Sequence, residues 1–232
     1  MRKLAVFVEG YTELIFVETL LLSIAGAHNI RIDLRQIRGG AKSKRTMAVI
    51  QAAHKLSGQQ YYALLFDCGG DHQVKTRIQE EHENLTRAQY TKIIGLRDVR
   101  PTFSHAQIPR LEVELRKYIK TSLIPVEFVL SVMEIEAWFL AEVSHFEKID
   151  PAITRDAILL NLGFDPTVED MTLRSAPAED LNACYRIAGK SYSKDNVSTT
   201  ISALDFSSIY LTLKDNIPSV KKLMKEIDAF LA

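Results

Sequence analysis

The chain has 232 residues, of which 47% are hydrophobic and 25% are charged. These proportions are close to those of ordinary globular proteins and exclude wholesale disorder and a fibrous fold. The 29 basic residues balance the 29 acidic residues, so no global field attracts the chain to nucleic acid or to an anionic membrane. Any such affinity must come from a local patch.

Residues 1–140 alternate between short apolar, β-branched runs and longer helix-like segments. Repeated β-α-β units have this pattern, which predicts an α/β fold with a mainly parallel open sheet flanked by helices. In chain order, the predicted strands are Lys3–Val8, Ile30–Ile37, Tyr61–Phe66, Lys92–Leu96 and Glu127–Val132.

The helix after the first strand is predicted to begin at Thr12, whose hydroxyl can cap free backbone amides, and to end near Gly26. Apolar residues cover nearly its whole circumference, so we expect it to be heavily buried and to pack against the middle of the sheet. The other helices of this part are more polar, as expected for helices that cover the sheet faces. They are predicted at Arg45–Leu56, Asp71–Tyr90 and Ser104–Leu123.

Strand signals stop beyond about residue 141. Helices are predicted at Asp150–Gly163, Ala178–Ala188 and Pro218–Leu231, whereas Ser207–Leu213 fits either a strand or a helical turn. We therefore predict an α/β domain over residues 1–145 and a C-terminal helical subdomain over residues 146–232.

Cysteine usage and the first apolar run bear on the cellular compartment. Cys68 and Cys184 show no paired spacing, which argues against a disulfide framework and a structural zinc site. The apolar run near the start is interrupted by Glu18, unlike a signal peptide or a membrane-spanning helix. We expect a cytoplasmic protein with no membrane partner.

Acidic residues follow four of the predicted strands. Glu9 follows the first, Asp67 the third and Asp98 the fourth, and Glu134 and Glu136 follow the fifth. Ligands bind beyond the carboxyl ends of open parallel sheets, and crowded carboxylates repel each other unless a cation lies between them. The pattern therefore predicts a divalent-metal site. The alternative is that strand ends and turns simply favour Asp and Gly.

A turn and a helix cap account for Gly10, Thr12 and Glu13 but not for Glu9. A charge at the end of an otherwise apolar strand is costly unless it is paired or bound to metal. Trp138 and Phe139 lie at the start of an apolar helix and are predicted to be core residues rather than parts of a site.

Six cations against one acid cross the second strand and the loop that follows it. A glycine-bearing cationic loop suits a phosphate backbone, although a solvated basic loop has the same composition. The spacing excludes a Walker-type phosphate loop. The cations are Arg31, Arg35, Arg38, Lys42, Lys44 and Arg45, and the acid is Asp33.

Other candidate groups lie next to these acids. Arg97 and Arg100 flank Asp98 and can steady charge on a phosphoryl group or pair with nearby acids. Cys68 adjoins Asp67, but the sequence places no histidine to activate it, so a thiol nucleophile is not expected.

Four segments in this order, VEGYTE, the acidic turn LLFDCGGD, LRDVRPT and EIEAWFLAE, resemble a TOPRIM-like family of bacterial proteins related to the overcoming-lysogenization-defect nucleases. The resemblance covers about residues 1–145. The later segment GKSYSKD resembles a Tyr-x-Lys element in the helical tail of that family, which makes Lys194 a candidate to return to the site.

The resemblance implies a TOPRIM fold, in which a Glu after the first strand and an Asp-x-Asp after the third bind Mg²⁺ for phosphodiester chemistry. Glu9 and Asp67 match the first two of these acids. Gly69 stands where the second aspartate is expected, and Asp71 follows two residues later, which departs from a two-metal pattern.

We therefore expect a nuclease that depends on Mg²⁺ or Mn²⁺ and hydrolyses DNA or RNA. The resemblance further implies an effector of phage defence with an ATPase partner, and a homodimer is also expected. The expected catalytic residues are Glu9, Arg97 and Lys194, the metal ligands are Glu9, Asp67, Asp71, Asp98 and Glu136, and the nucleic-acid contacts are Arg38, Lys42, Lys44, Arg45 and Arg100.

Two rival functions use the same residues. One is a non-catalytic binding module that acts through a partner protein or by gripping nucleic acid. The other is a phosphotransferase or nucleotide hydrolase that uses the same acidic edge. One fold hosts many activities, so the site has to decide between them.

Overall fold

The computed structural model describes residues 1–40, 43–53, 58–70 and 72–232. Its strands are β1 (Arg2–Val8), β2 (Ile30–Gly40), β3 (Ser43–Gln51), β4 (Tyr61–Asp67), β5 (Lys92–Asp98) and β6 (Val126–Ser131). Within these described residues they form a six-stranded sheet in the order β3-β2-β4-β1-β5-β6.

Most of the described sheet is parallel. Strand β4 pairs in parallel with β1 and with β2, and β1 also pairs in parallel with β5. Strand β3 pairs with β2 in the antiparallel direction. The predicted α/β class with a mainly parallel sheet flanked by helices is confirmed.

The helices of the first half are α1 (Tyr11–Ala25), α2 (Gln73–Arg87) and α3 (Ile108–Arg116). The later helices are α4 (Glu136–Ala141), α5 (Ser144–Ile149), α6 (Arg155–Leu162), α7 (Pro177–Arg186), α8 (Val197–Ala203), α9 (Phe206–Ser208), α10 (Lys214–Asn216) and α11 (Pro218–Leu231). Short 3-10 turns cover His105–Gln107, Met171–Leu173 and Lys194–Asn196, and Ile209–Leu213 forms a π-helical turn. None of the described helices is long and apolar enough to cross a membrane.

Helix α1 lies where the sequence predicts it, but its cap differs from the prediction. The helix begins at Tyr11, and the Glu13 carboxylate accepts a hydrogen bond of 2.9 Å from the Gly10 amide. The Thr12 hydroxyl is buried inside the first turn and makes no hydrogen bond within the described part of the chain, so its predicted capping role is wrong. The helix packs against β1, β2 and β4, as its apolar circumference predicts.

Strand β3 replaces the first half of the helix predicted at Arg45–Leu56, so that prediction is wrong over residues 45–51; residues 54–57 lie outside the described residues. Strand β2 continues to Gly40 and offers its free edge, and Met47 pairs there with Ile37. This pairing satisfies backbone groups that an isolated amphipathic segment would satisfy as a helix.

Two further helices are shorter than predicted. Helix α2 covers the inner part of Asp71–Tyr90, and Asp71 itself lies outside the described residues. Helix α3 ends at Arg116, well before Leu123, and Tyr118 follows with a φ of 62°. A left-handed residue cannot continue a right-handed helix, which explains the early end. The ambiguous segment Ser207–Leu213 is helical.

The chain divides into two compact units. The first unit comprises Met1–Arg97, Pro109–Leu130 and Leu223–Ala232, and the second comprises Asp98–Ile108 and Ser131–Lys222. The predicted boundary after residue 145 treats each domain as one continuous stretch, whereas each unit is assembled from separate segments.

Aromatic side chains fill the core of each unit. In the first unit, Phe7 and Phe66 stack across the β1–β4 pair with ring centroids 4.5 Å apart. In the second unit, Trp138 and Phe139 are fully buried, and the Trp138 Nε1–H donates to the Ser219 hydroxyl at 3.2 Å. The prediction that Trp138 and Phe139 are core residues is confirmed.

The second unit also buries a polar cluster around His145. The His145 ring is fully buried, with Nδ1 at the Glu142 carbonyl and 3.9 Å from the Glu142 carboxylate. That carboxylate also accepts hydrogen bonds from the Ser144 hydroxyl and the Asp205 amide. Burial lowers the pKa of His145 below its ordinary value of 6.5, and the contacts with Glu142 oppose the shift only in part.

We expect the stability of the fold to fall as the pH drops below the ordinary histidine range. The unfolded chain protonates His145 near 6.5 whereas the native state keeps it neutral, so protons favour unfolding in that window. Urea midpoints at about pH 5 and about pH 7.5 measure the difference. The His145→Gln variant should show a smaller difference between the two midpoints, whereas replacing the exposed His28 should leave the difference unchanged. An identical pH dependence in both variants would contradict the role given to His145.

Candidate active site

The ends of β1 and β4 bring Glu9 and Asp67 to the same edge of the first unit. Val8 and Asp67 are register partners in this parallel pair. Beyond the pair, the Cys68 amide donates to the Val8 carbonyl at 2.9 Å and the Gly70 amide to the Glu9 carbonyl at 2.8 Å. The backbone therefore holds the turn that follows β4 against the residue that follows β1.

The Asp67 carboxylate is buried and receives hydrogen bonds on both oxygens. Oδ1 accepts from Arg38 Nη1 at 3.0 Å and from the Gly69 amide at 2.9 Å. Oδ2 accepts from Arg38 Nη2 at 2.7 Å and from Gln36 Nε2 at 3.1 Å. A carboxylate has about four acceptor positions, so these donors occupy its capacity, and the bidentate arginine balances its charge.

Glu9 lies beside the predicted catalytic arginine. Arg97 Nε is 3.8 Å from Glu9 Oε1, and both side chains are largely buried. Arg97 reaches this place because β5 pairs in parallel with β1, with Phe7 opposite Gly95. A guanidinium keeps its charge at any ordinary pH, so Arg97 of β5 places a permanent positive charge next to the Glu9 carboxylate.

Two other predicted ligands, Asp98 and Glu136, belong to the second unit, and each accepts a hydroxyl hydrogen bond there. The Ser131 hydroxyl donates to Asp98 Oδ1, and the Tyr192 hydroxyl donates to Glu136 Oε1 at 2.6 Å. Asp98 and Glu136 are both buried. Lys194 follows Tyr192 by two residues in a 3-10 turn, and its side chain lies outside the described part of the structure.

Most of the predicted phosphate contacts have acidic partners. Besides the Arg38–Asp67 pair, Arg45 lies 3.4 Å from Glu80 and also pairs with Glu81. Arg100 lies 3.5 Å from Glu134 and 3.7 Å from Glu179. Lys44 is exposed and makes no ion pair with the residues that the structure describes, whereas Lys42 lies outside them.

The donor chemistry of the β1 and β4 ends fits Mg²⁺, which prefers hard carboxylate oxygens and keeps several waters. Glu9 and Asp67 supply two such groups. Among the described residues, however, no group of three or more His, Cys, Asp or Glu side chains could hold a metal ion. Asp71, the predicted third ligand of this turn, lies outside them.

Cys68 is buried directly after Asp67. Its thiol donates to the Phe66 carbonyl at 3.7 Å. Burial, followed by the negative charge of Asp67, raises the pKa of the thiol far above its ordinary range. The thiolate is therefore not available as a nucleophile.

Two residues of the site have roles that the sequence analysis missed. Gln36 donates to Asp67 because it is the register partner of Asp67 in the β2–β4 pair. Arg38 points to the same carboxylate from two residues further along β2. Both roles depend on β2 lying next to β4 in the sheet. The order of the strands along the chain does not reveal this pairing.

Comparisons of the chain with models of protein families, with curated proteins and with solved structures found no match. The function is therefore inferred from the geometry of the site and from the sequence motifs.

Proposed function

We propose that this chain is a Mg²⁺-dependent nuclease with a TOPRIM-like fold. One observation carries the proposal: Glu9 and Asp67 follow neighbouring parallel strands whose turns are joined by backbone hydrogen bonds. Carboxylates at such strand ends are suited to a divalent ion and a phosphate ligand. The motif resemblance adds phosphodiester hydrolysis as the reaction.

In this proposal Glu9 and Asp67 hold the ion, which supplies positive charge to the phosphodiester as its oxygens gain negative charge. Arg97 adds a second, permanent positive charge beside Glu9. Glu9 also accepts a proton in this proposal, since its carboxylate directly follows β1. Asp67 first has to exchange the donors that now occupy its oxygens.

The remaining parts of the proposal concern other residues and partners. The motif resemblance supports roles for Asp98, Glu136 and Lys194 in the same reaction, and the cationic pattern supports contacts of Lys42, Lys44, Arg45 and Arg100 with the nucleic-acid backbone. The resemblance supports a role in phage defence with an ATPase partner. In this proposal the partner holds the nuclease inactive until infection.

The second candidate function is a non-catalytic module that binds a partner protein or nucleic acid. The saturated Asp67 carboxylate favours it, because Arg38, Gln36 and Gly69 already satisfy the oxygens that a metal would need. A side chain that serves only to tie β2 to β4 would have this environment. The two candidates differ in their dependence on metal: the nuclease loses its activity when metal is removed, whereas the binding module does not lose its binding.

Metal removal is expected to abolish cleavage. The purified chain is incubated with labelled plasmid DNA, single-stranded DNA, total RNA and nucleoside triphosphates, each with Mg²⁺, with Mn²⁺ or with chelator. The nuclease proposal expects at least one polymer to be cut with metal and none with chelator.

The other outcomes separate the rivals. Hydrolysis confined to the free nucleotides would replace the nuclease with a nucleotide hydrolase. Binding of a polymer that is equal with metal and with chelator, without cutting, would support the non-catalytic module.

A further inference from the structure

Arg38 forms an ion pair with Asp67, the carboxylate that the proposed metal site requires. Arg38 Nη1 also lies 3.0 Å from the Ile37 carbonyl and 3.4 Å from the Asp67 carbonyl. The two partners differ sharply in burial: the Arg38 side chain is 44% exposed, whereas that of Asp67 is 2% exposed. The guanidinium therefore covers the carboxylate from the solvent side.

The backbone that carries Arg38 is fixed from the other side. Arg77 of α2 is buried, donates to the Gly39 carbonyl and pairs with Glu80 at 2.9 Å. This contact ties the end of β2 to α2 directly after Arg38. The position of Arg38 beside Asp67 is thus built into the fold, while its exposed side chain can still turn away.

Gly69 makes room for the guanidinium. A Cβ atom on Gly69 would lie 2.8 Å from Arg38 Nη1 and 3.2 Å from its Cζ, too close for either to stay in place. Gly69 also has a φ of 79°, which residues other than glycine rarely adopt. The glycine that replaces the expected second aspartate and the arginine that fills the space therefore form one arrangement.

We propose that Arg38 blocks the metal position at Asp67 in the resting protein and releases it by moving to a phosphate of the nucleic-acid substrate. This inference rests on the proposed nuclease function. A phosphodiester offers the guanidinium the same bidentate oxygens as a carboxylate. Once Arg38 has moved, the guanidinium no longer balances the negative charge of Asp67, and the carboxylate oxygens can accept a divalent ion.

The arrangement couples metal binding to substrate binding. Without substrate, the ion competes with a buried, bidentate ion pair and binds weakly. With substrate, the arginine stabilises the phosphate and the carboxylate becomes available, so each ligand favours the other. The device would prevent cutting by a protein that carries metal but no substrate.

Binding of Mn²⁺ alone tests this coupling, with free Mn²⁺ followed by electron paramagnetic resonance. The Arg38→Gln variant removes the competing cation and should bind Mn²⁺ about tenfold or more tightly than the wild type. Gly69→Asn keeps the arginine but displaces it, and asparagine tolerates positive φ; it should shift the affinity in the same direction. Gly69→Asn also preserves the test if Arg38→Gln does not fold.

Two matched controls accompany these variants. Arg155→Gln removes an arginine from a comparable pair with Asp165, 2.7 Å away in the second unit, and should leave Mn²⁺ binding unchanged. Glu9→Gln should abolish it. Equal affinity in the wild type, Arg38→Gln and Gly69→Asn, with loss only in Glu9→Gln, would overturn the blocking role and leave the nuclease intact. No Mn²⁺ binding by any variant would overturn both.

Discussion

Replacing Asp67 with alanine is expected to destabilise the protein by about 2–4 kcal/mol and to abolish metal-dependent cleavage. The buried carboxylate accepts from Arg38, Gln36 and the Gly69 amide, and its loss leaves these donors without their acceptor. Breaking a fully buried ion pair costs about 3–5 kcal/mol. We expect somewhat less here because Arg38 is partly exposed and can regain water.

Urea denaturation of the purified variants measures this effect. Asp67→Asn keeps the shape and two of the acceptor positions, so it should cost less stability than Asp67→Ala and still lose cleavage. A double-mutant cycle with Arg38→Gln isolates the coupling between the two side chains. An Asp67→Ala variant with the wild-type midpoint would contradict the central role given to the pair in holding β2 to β4.

Local patterns were sufficient for the elements with strong periodicity. The apolar run of β1, the all-round apolar surface of α1 and the glycine at position 26 predicted those elements closely, because burial and chain termination act over a few residues. The same holds for α11, whose observed bounds, Pro218–Leu231, are those predicted.

Strand β3 could not be predicted in this way. Its residues are mostly exposed, and they have no apolar face that would favour a strand over a helix. What decides the conformation is the free edge of β2, which lies in another part of the chain.

The site shows the same division between local and non-local information. Position after a strand was sufficient to single out Glu9 and Asp67, since parallel strands end at a common edge. It could not reveal that Arg38 neutralises Asp67, because that contact depends on β2 lying next to β4. A cationic run that was predicted to contact a nucleic-acid backbone thus supplies an arginine to an ion pair with a buried carboxylate.

Replacing Glu9 with glutamine is expected to lower the rate of metal-dependent cleavage by about a hundredfold or more. The change keeps the size of the side chain but removes its negative charge and its capacity to accept a proton. The turn should keep its backbone structure, because the Glu9 carbonyl accepts from the Gly70 amide and the Glu13 carboxylate accepts from the Gly10 amide. The change weakens the pair between the Glu9 carboxylate and Arg97, so the folded state of the variant is checked separately.

The rate of Glu9→Gln relative to the wild type tests the account most directly, on whichever polymer the wild type cuts. Glu18→Gln is the matched control, since Glu18 is a half-buried acid of α1 that accepts from Gln51. The account predicts loss of cleavage in Glu9→Gln and wild-type cleavage in Glu18→Gln, with thermal denaturation showing that both variants are folded at the assay temperature. Equal, metal-dependent cleavage by Glu9→Gln and the wild type would contradict the assignment of the active site to the ends of β1 and β4.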